Sequence, residues 1–253
     1  HDPATQAAER RLPFTADLTH GADLCGVRFG VPRCCTGHHE GADAVAAAAV
    51  ARLRTLGAEV IEDVDLGPRA PLVAAERTVL LVEFKAGLDA YLRDHPAAPV
   101  RDLEALIAFN REQRDRVMPY FRQELLEQAQ AQPGLDDPDY LEARATCVRL
   151  ARDEGIDRAL REHGLDALVA PTRVPAWVTD LIDGDRSIPG CASPAAVAGY
   201  PHVTVPAGLV HGLPVGLSFF AGAFGDAQVL RYAHAFEGAR GPWPVPTFPA
   251  RVV

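Results

Sequence analysis

Leu24-Cys25-Gly26-Val27-Arg28-Phe29-Gly30-Val31-Pro32, the Ala-rich run from Asp43 to Leu56, and Glu59-Val60-Ile61-Glu62-Asp63-Val64 together decide the class of fold. The first is short, β-rich and stopped by proline, which reads as a strand. The second carries apolar residues at helical spacing and is followed by Gly57, a natural C-cap. The third reads as another strand. Strand, helix and strand joined by short loops imply a βαβ unit, and hence a sheet that is at least partly parallel.

Outward from this unit the pattern changes twice. From Pro71 to Gly164 the sequence is helical, with runs at Glu76–Asp94, Asp102–Asn110, Gln113–Gln130 and Tyr140–His163. Pro96, Pro119, Pro133 and Pro138 punctuate them, and Pro138 after Asp136-Asp137 is a helix start signal. Asp166-Ala167-Leu168-Val169-Ala170-Pro171 then returns to buried-strand character. A Gly/Asp/Pro-rich loop over 180–190 precedes a short helix from Ser193 to Gly199. His202–Pro206 and Pro214–Phe220 read as strands joined through a turn at Gly212, and Asp226–Phe236 as a closing helix. The expectation is an α/β fold, a mixed sheet flanked by helices with a helical insertion. Its parts are a lead-in and βαβ unit over 1–70, a helical block over 71–164, a sheet segment over 165–240 and a Pro-rich tail over 241–253.

Composition narrows the function. The 253 residues are 48% hydrophobic and 23% charged, enough to bury a sizeable core, with a formal net charge of −9. Twenty-four of the 25 basic residues are arginine, scattered along the chain, with Lys85 the single lysine. Such a chain has no basic footprint for nucleic acid. No run approaches the roughly 20 apolar residues that span a bilayer, and the first residues lack the features of a signal peptide. The expectation is a cytoplasmic protein whose five cysteines are mostly reduced, with no cofactor. Without an initiator Met, the chain is expected to begin partway through a longer protein.

Three stretches then carry a resemblance. Asp166-Ala167-Leu168-Val169-Ala170-Pro171-Thr172 is the first, and Ala198-Gly199-Tyr200-Pro201-His202-Val203-Thr204-Val205-Pro206-Ala207-Gly208 the second. The third is Leu213-Pro214-Val215-Gly216-Leu217-Ser218-Phe219-Phe220, followed by a helix ending Ala235-Phe236-Glu237. In order and spacing they resemble the C-terminal part of the amidase-signature family. Asp2-Pro3-Ala4-Thr5, the Leu24–Pro32 strand and Leu56-Gly57-Ala58-Glu59-Val60 are also similar to it. The stretch from Ala170 to Trp177, with Asp180 to Asp185, most resembles the peptide-amidase branch.

The resemblance implies hydrolysis of a carboxamide C–N bond in a peptide or small amide. In that family a nucleophilic serine works with a second serine and a lysine base, held in a Gly/Ser-rich signature upstream of the part matched here. A serine hydroxyl needs a neighbour to take its proton, and a lysine serves as base only with a lowered pKa. This chain has three serines, Ser187, Ser193 and Ser218, and no Gly-Gly-Ser-Ser run. Lys85, in Val82-Glu83-Phe84-Lys85-Ala86, reads as a solvated helix residue. The expectation is therefore no catalytic residue, an inactive chain, and pairing with a missing N-terminal half or self-association.

What the segment is expected to supply is one wall of the substrate cleft, with Thr172, Trp177, Asp180 and Ser193 as its binding residues. Trp177 offers a flat face and an indole donor, and Asp180, Asp183 or Asp185 a carboxylate. Each has a plainer reading: Trp177 as core packing, the aspartates as polar loop residues, Ser193 as an N-cap. Cys191 reads as a buried thiol with no histidine in local reach. Cys34-Cys35-Thr36-Gly37-His38-His39-Glu40 holds soft ligands but lacks zinc spacing, and adjacent cysteines are expected to diverge, so no metal site is assigned. Two other readings stay open: a non-catalytic binding or regulatory remnant of the fold, and a metal-binding protein built on Cys34–Glu40.

Overall fold

The computed structural model describes residues 14, 15, 18, 23–186 and 188–246. Most of the lead-in, including Asp2-Pro3-Ala4-Thr5, lies outside them, as do Ser187 and the last seven residues of the tail. Two compact units divide the chain. The sheet-bearing unit takes 1–65, 156–176 and 188–253, and the helical unit takes 66–155 with 177–187.

The sheet has five strands, β1 (Arg28–Pro32), β2 (Glu59–Val64), β3 (Ala167–Pro171), β4 (His202–Val210) and β5 (Leu213–Phe220), in the order β2-β1-β3-β5-β4. β1 runs parallel to β2 and to β3, whereas β5 is antiparallel to both β3 and β4. The sheet is mixed, as the βαβ pattern and the later hairpin require. β1 begins four residues later than its β-rich composition suggests. Gly26 sits at φ +79° and the Val27 amide donates to the Leu24 carbonyl at 3.0 Å, so Leu24–Val27 is a turn and not strand.

Helix α1 (Glu40–Thr55) links β1 to β2, and α9 (Asp226–Arg240) closes the unit. Both pack on one face of the sheet. Alternation along the strands aims Ala167, Val169, Val205, Leu217, Phe219, Phe29 and Val31 at that face, where Ala49, Val50, Leu53, Val229, Tyr232 and Phe236 meet them. The aromatic centre is Phe29, Phe219, Tyr232 and Phe236, each 1% exposed or less. Phe29 lies edge-on to Tyr232 at 5.0 Å and to Phe219 at 5.8 Å. The other face bears Leu168, Ala170, Ser218, Phe220, His202 and Thr204, by the same alternation.

In the helical unit, α2 (Arg69–Asp94) packs with α3 (Leu103–Glu112), α5 (Glu124–Gln130) and α6 (Pro138–Val148); α4 (Arg114–Val117) is a single turn. A small core of Leu103, Ile107 and Ala129 holds it, flanked by Leu81, Leu88, Leu106 and Leu126. Asp102 caps α3 through the Ala105 amide at 2.7 Å, and Asp137 caps α6 with Pro138 in its first turn. The expected helix Gln113–Gln130 is broken between Val117 and Glu124, the stretch that holds Pro119. The expected Tyr140–His163 helix is also interrupted. Arg149–Ile156 winds as a wider π-type turn and departs from helix at Gly155 (φ −109°, ψ −106°) before α7 (Asp157–His163).

Lys85 is not simply a solvated helix residue. Its Nζ donates to the carbonyls of Gln130 at 2.9 Å and Gln132 at 3.1 Å. Those oxygens lie at and just past the end of α5, where carbonyls lack helical partners and a cation is favoured. Lys85→Met keeps the stem and removes the donors. It is expected to lower the urea-unfolding stability of the helical unit by about 1–2 kcal/mol, since the bonds are charge-assisted but half-buried. An unchanged unfolding midpoint contradicts this role. Among the described residues no helix is long and apolar enough to cross a membrane.

Candidate functional site

Thr172 directly follows β3, and its amide donates to the Gly216 carbonyl at 2.8 Å, which carries the β3–β5 pairing one step further. Its side chain therefore lies on the same sheet face as Ala170 and Ser218. The Thr172 Oγ1 and Ser218 Oγ are 2.8 Å apart, and Ser218 Oγ is 3.0 Å from Thr204 Oγ1. Thr172 Oγ1 also donates to Thr204 Oγ1 at 3.5 Å. Three adjacent strands thus put three hydroxyls in one group, running from buried Ser218 to exposed Thr204. Gly216 leaves room for it: a Cβ there would come within 2.6 Å of Thr204 Cγ2 and 2.7 Å of Thr172 Oγ1.

Helix α8 (Ala192–Ala198) starts beside this group. The Cys191 amide donates to the Thr172 carbonyl at 3.2 Å, and the Cys191 thiol approaches the same oxygen at 3.6 Å. The thiol is also 3.8 Å from His202 Nε2. Cys191 therefore does have a histidine beside it, eleven residues on in sequence, because β4 returns under the start of α8. Burial works against activation of this pair. Burial pushes the Cys191 thiol pKa up, against a smaller opposite pull from the Ser218 hydroxyl. Burial likewise pushes the His202 imidazole pKa down. Both changes favour a neutral thiol beside a neutral ring and disfavour the thiolate that would attack a carbonyl.

Ser193 does not cap α8. The cap position is Cys191, no side chain bonds the helix start, and Ser193 lies inside the first turn, half-buried. Trp177 and Asp180 belong to the loop 177–187 in the helical unit. The Trp177 ring is 39% exposed, so it is not a core residue, and its Nε1 donates to Asp185 Oδ1 at 3.0 Å. Asp180 accepts from the amides of Ile182 at 2.8 Å and Asp183 at 3.0 Å, folding the loop tip as an Asx turn. Thr172 and Ser193 thus lie in one unit, Trp177 and Asp180 in the other.

The amides of Asp183 and Ile182 hold the Asp180 carboxyl below the usual aspartate range. A folded pKa below the unfolded one means that the turn is fully supported above the unfolded value. That support is lost as pH falls through the folded value. The backbone amide resonances of Ile182 and Asp183 are expected to titrate together below the ordinary aspartate range, and Asp180→Asn to abolish the transition. A shared midpoint at the ordinary value contradicts the turn.

The Cys34–Glu40 cluster serves chain geometry. His38 Nε2 lies 3.0 Å from the Cys34 carbonyl, and His39 is the N-cap of α1, its Nδ1 accepting from the Ala42 amide at 3.3 Å. Among the described residues no three His, Cys, Asp or Glu side chains gather closely enough to hold a metal ion. The metal-binding reading therefore has no site in the described residues. The expectation that the adjacent cysteines diverge is also corrected. Arg33–Cys35 winds as a 3-10 turn, and the two sulfurs lie 3.7 Å apart.

The signal for Ser218 and Thr204 lay in the two strand patterns, but their meeting depends on a bulge. β4 and β5 join by a two-residue turn at His211 and Gly212, both at positive φ, with Val210 opposite Leu213. That register runs to Gly208 opposite Val215, then slips by one to Pro206 opposite Gly216. Without the slip Thr204 would face away from Ser218.

Comparison with known proteins places this geometry. A peptide amidase crystallised with the competitive inhibitor chymostatin superposes with a TM-score of 0.86 at 43% identity, covering 93% of this chain and 48% of that one. A probable amidase of Arabidopsis thaliana is 32% identical over 74% of this chain and 34% of its own length. A glutamyl-tRNA(Gln) amidotransferase subunit from Mycolicibacterium gilvum is 32% identical over 96% of this chain and 52% of its own. The chain thus spans between a third and about half of the length of these curated relatives. The Amidase family model matches residues 3–230. With that match across most of its length, the chain belongs to the amidase family.

Proposed function

We propose that this chain is part of an amidase that hydrolyses a carboxamide C–N bond, with a peptide amide as substrate, and that alone it turns nothing over. The observation that carries this reading is the 43% identity to a peptide amidase over 93% of this chain but only 48% of that enzyme. Residue chemistry agrees with it. Attack on an amide needs an activated nucleophile and a base. The single lysine is engaged by two carbonyls, Ser218 is buried among hydroxyls, and Cys191 and His202 favour their neutral forms.

Thr172 is the best supported of the binding residues. Its hydroxyl is oriented by Ser218 and half-exposed, so it can offer a hydrogen bond to a substrate amide at low ordering cost. Ser193, on α8 of the same unit, is proposed as a second polar contact. Trp177 and Asp180, in the loop of the helical unit, are proposed to meet substrate through the exposed indole face and the free lone pairs of the carboxylate. The chain is proposed to work in the cytoplasm, joined to the rest of an amidase or to a second copy of itself. Among the described residues β4 is an outer strand paired only with β5, and its other edge is proposed for such pairing.

The test uses this chain joined to the half of the peptide amidase that it does not match. Thr172→Val in that protein is expected to raise KM for an amidated peptide by about fivefold, the worth of about 1 kcal/mol for one neutral hydrogen bond. A KM that does not move removes Thr172 from the substrate wall.

A further inference from the structure

The pair of sulfurs at Cys34 and Cys35 has no part in the amidase reading, and its geometry suits a ligand of its own. Neither cysteine is in a disulfide; Cys34 is half-exposed and Cys35 buried. The turn that carries them is held on both sides. β1 pairs with two strands just before it, and the Thr36 hydroxyl and amide both donate to the Arg33 carbonyl at 3.4 and 3.5 Å. His38 lies on the Cys34 carbonyl and His39 caps α1 just after it. Two thiols fixed 3.7 Å apart before any ligand arrives need little reorganisation to grip one atom together.

Geometry also decides which chemistry fits. A disulfide would need the sulfurs about 2.05 Å apart, with Cα atoms usually about 4.4–6.8 Å apart. Adjacent residues hold their Cα atoms about 3.8 Å apart, so closing this pair strains the turn. Zinc fares no better, since it takes four ligands and, among the described residues, no third His, Cys, Asp or Glu lies close enough to share a metal ion with the pair. An atom that bonds two sulfurs and bridges them leaves both where they are.

We propose that Cys34 and Cys35 form a two-thiol site for a trivalent organic arsenical. With an aryl arsenic oxide, two arsenic–sulfur bonds form and the arsenic–oxygen bonds break. Both thiol protons leave with the oxygen as one water, and arsenic stays trivalent, so no oxidant or reductant is needed. Cys34 is the point of entry and Cys35 closes the ring. Beside Cys35 lies a small crevice lined by His38, His39, Pro171, Arg173 and Pro189.

The test treats the folded chain with one equivalent of phenylarsine oxide and reads intact mass and a tryptic map. The expected result is one phenylarsenic unit less two hydrogens on the peptide 34–52. It should survive excess glutathione and leave with dithiothreitol. Cys34→Ser and Cys35→Ser are each expected to hold the arsenical on the order of 10²-fold less tightly, the worth of the second attachment, while Cys25→Ser changes nothing. An adduct on a peptide carrying Cys25, Cys147 or Cys191, or one that glutathione strips as fast as from Cys34→Ser, overturns the proposal. The map of the unsubstituted chain decides the matter even where a variant misfolds.

Discussion

Replacing Phe219 with alanine is expected to destabilise the sheet-bearing unit by about 3–5 kcal/mol. Phe219 has no exposed surface and lies on β5 between two partner strands. Its ring meets Phe29 of β1 at 5.8 Å and Phe236 of α9 at 6.1 Å. Removing it takes away the transfer energy of a buried ring. It also leaves a cavity between hydrogen-bonded strands and a packed helix, neither of which can collapse freely. Against a typical total of about 5–15 kcal/mol that loss is a large share of what keeps a domain folded. The check is urea unfolding followed by tryptophan fluorescence and far-ultraviolet circular dichroism. A strongly lowered midpoint with an unchanged slope is expected. A loss below about 1 kcal/mol would mean that the aromatic cluster is not the core of this unit.

Much of this architecture was legible in the residues. Glu59–Val64 forms β2 with the bounds its composition suggests, and Asp166–Pro171 forms β3 less one residue, because buried strands are short, apolar and bounded by turn formers. The misses have local causes. Gly26 turns the chain before β1. Pro71 is accommodated inside the first turn of α2, where a missing amide proton costs nothing, so that helix starts at Arg69 and not at Glu76. His39 caps α1 three residues ahead of the expected start, a task usually given to Ser, Thr, Asp or Asn.

The site was less legible because its parts meet through tertiary structure. Thr172 stands out at the end of a buried strand. Its partners Ser218 and Thr204 depend on a strand register that slips at one bulge. Gly208 sits at that slip, where a Cβ would come within 2.8 Å of Val45 on α1, so packing rather than local sequence sets it. His202 reaches Cys191 only because β4 returns beneath α8, and sequence distance conceals this. The 3.7 Å between adjacent sulfurs follows from a 3-10 turn that no periodicity signals. For Ser193, a serine before a proline suggests a cap, yet the cap position lies two residues earlier, at Cys191.

The proposed function divides the labour: this chain would supply sheet and binding surface, and the proton-transferring serine and lysine would come from elsewhere in an amidase. Ammonia release from a C-terminally amidated peptide tests it most directly, measured for this chain alone and for the chain joined to the half of the peptide amidase that it does not match. The expected result is no release above buffer from the chain alone and sustained turnover from the joined protein. Turnover by the chain alone, persisting in Lys85→Ala and in Ser193→Ala and Ser218→Ala, would contradict the account.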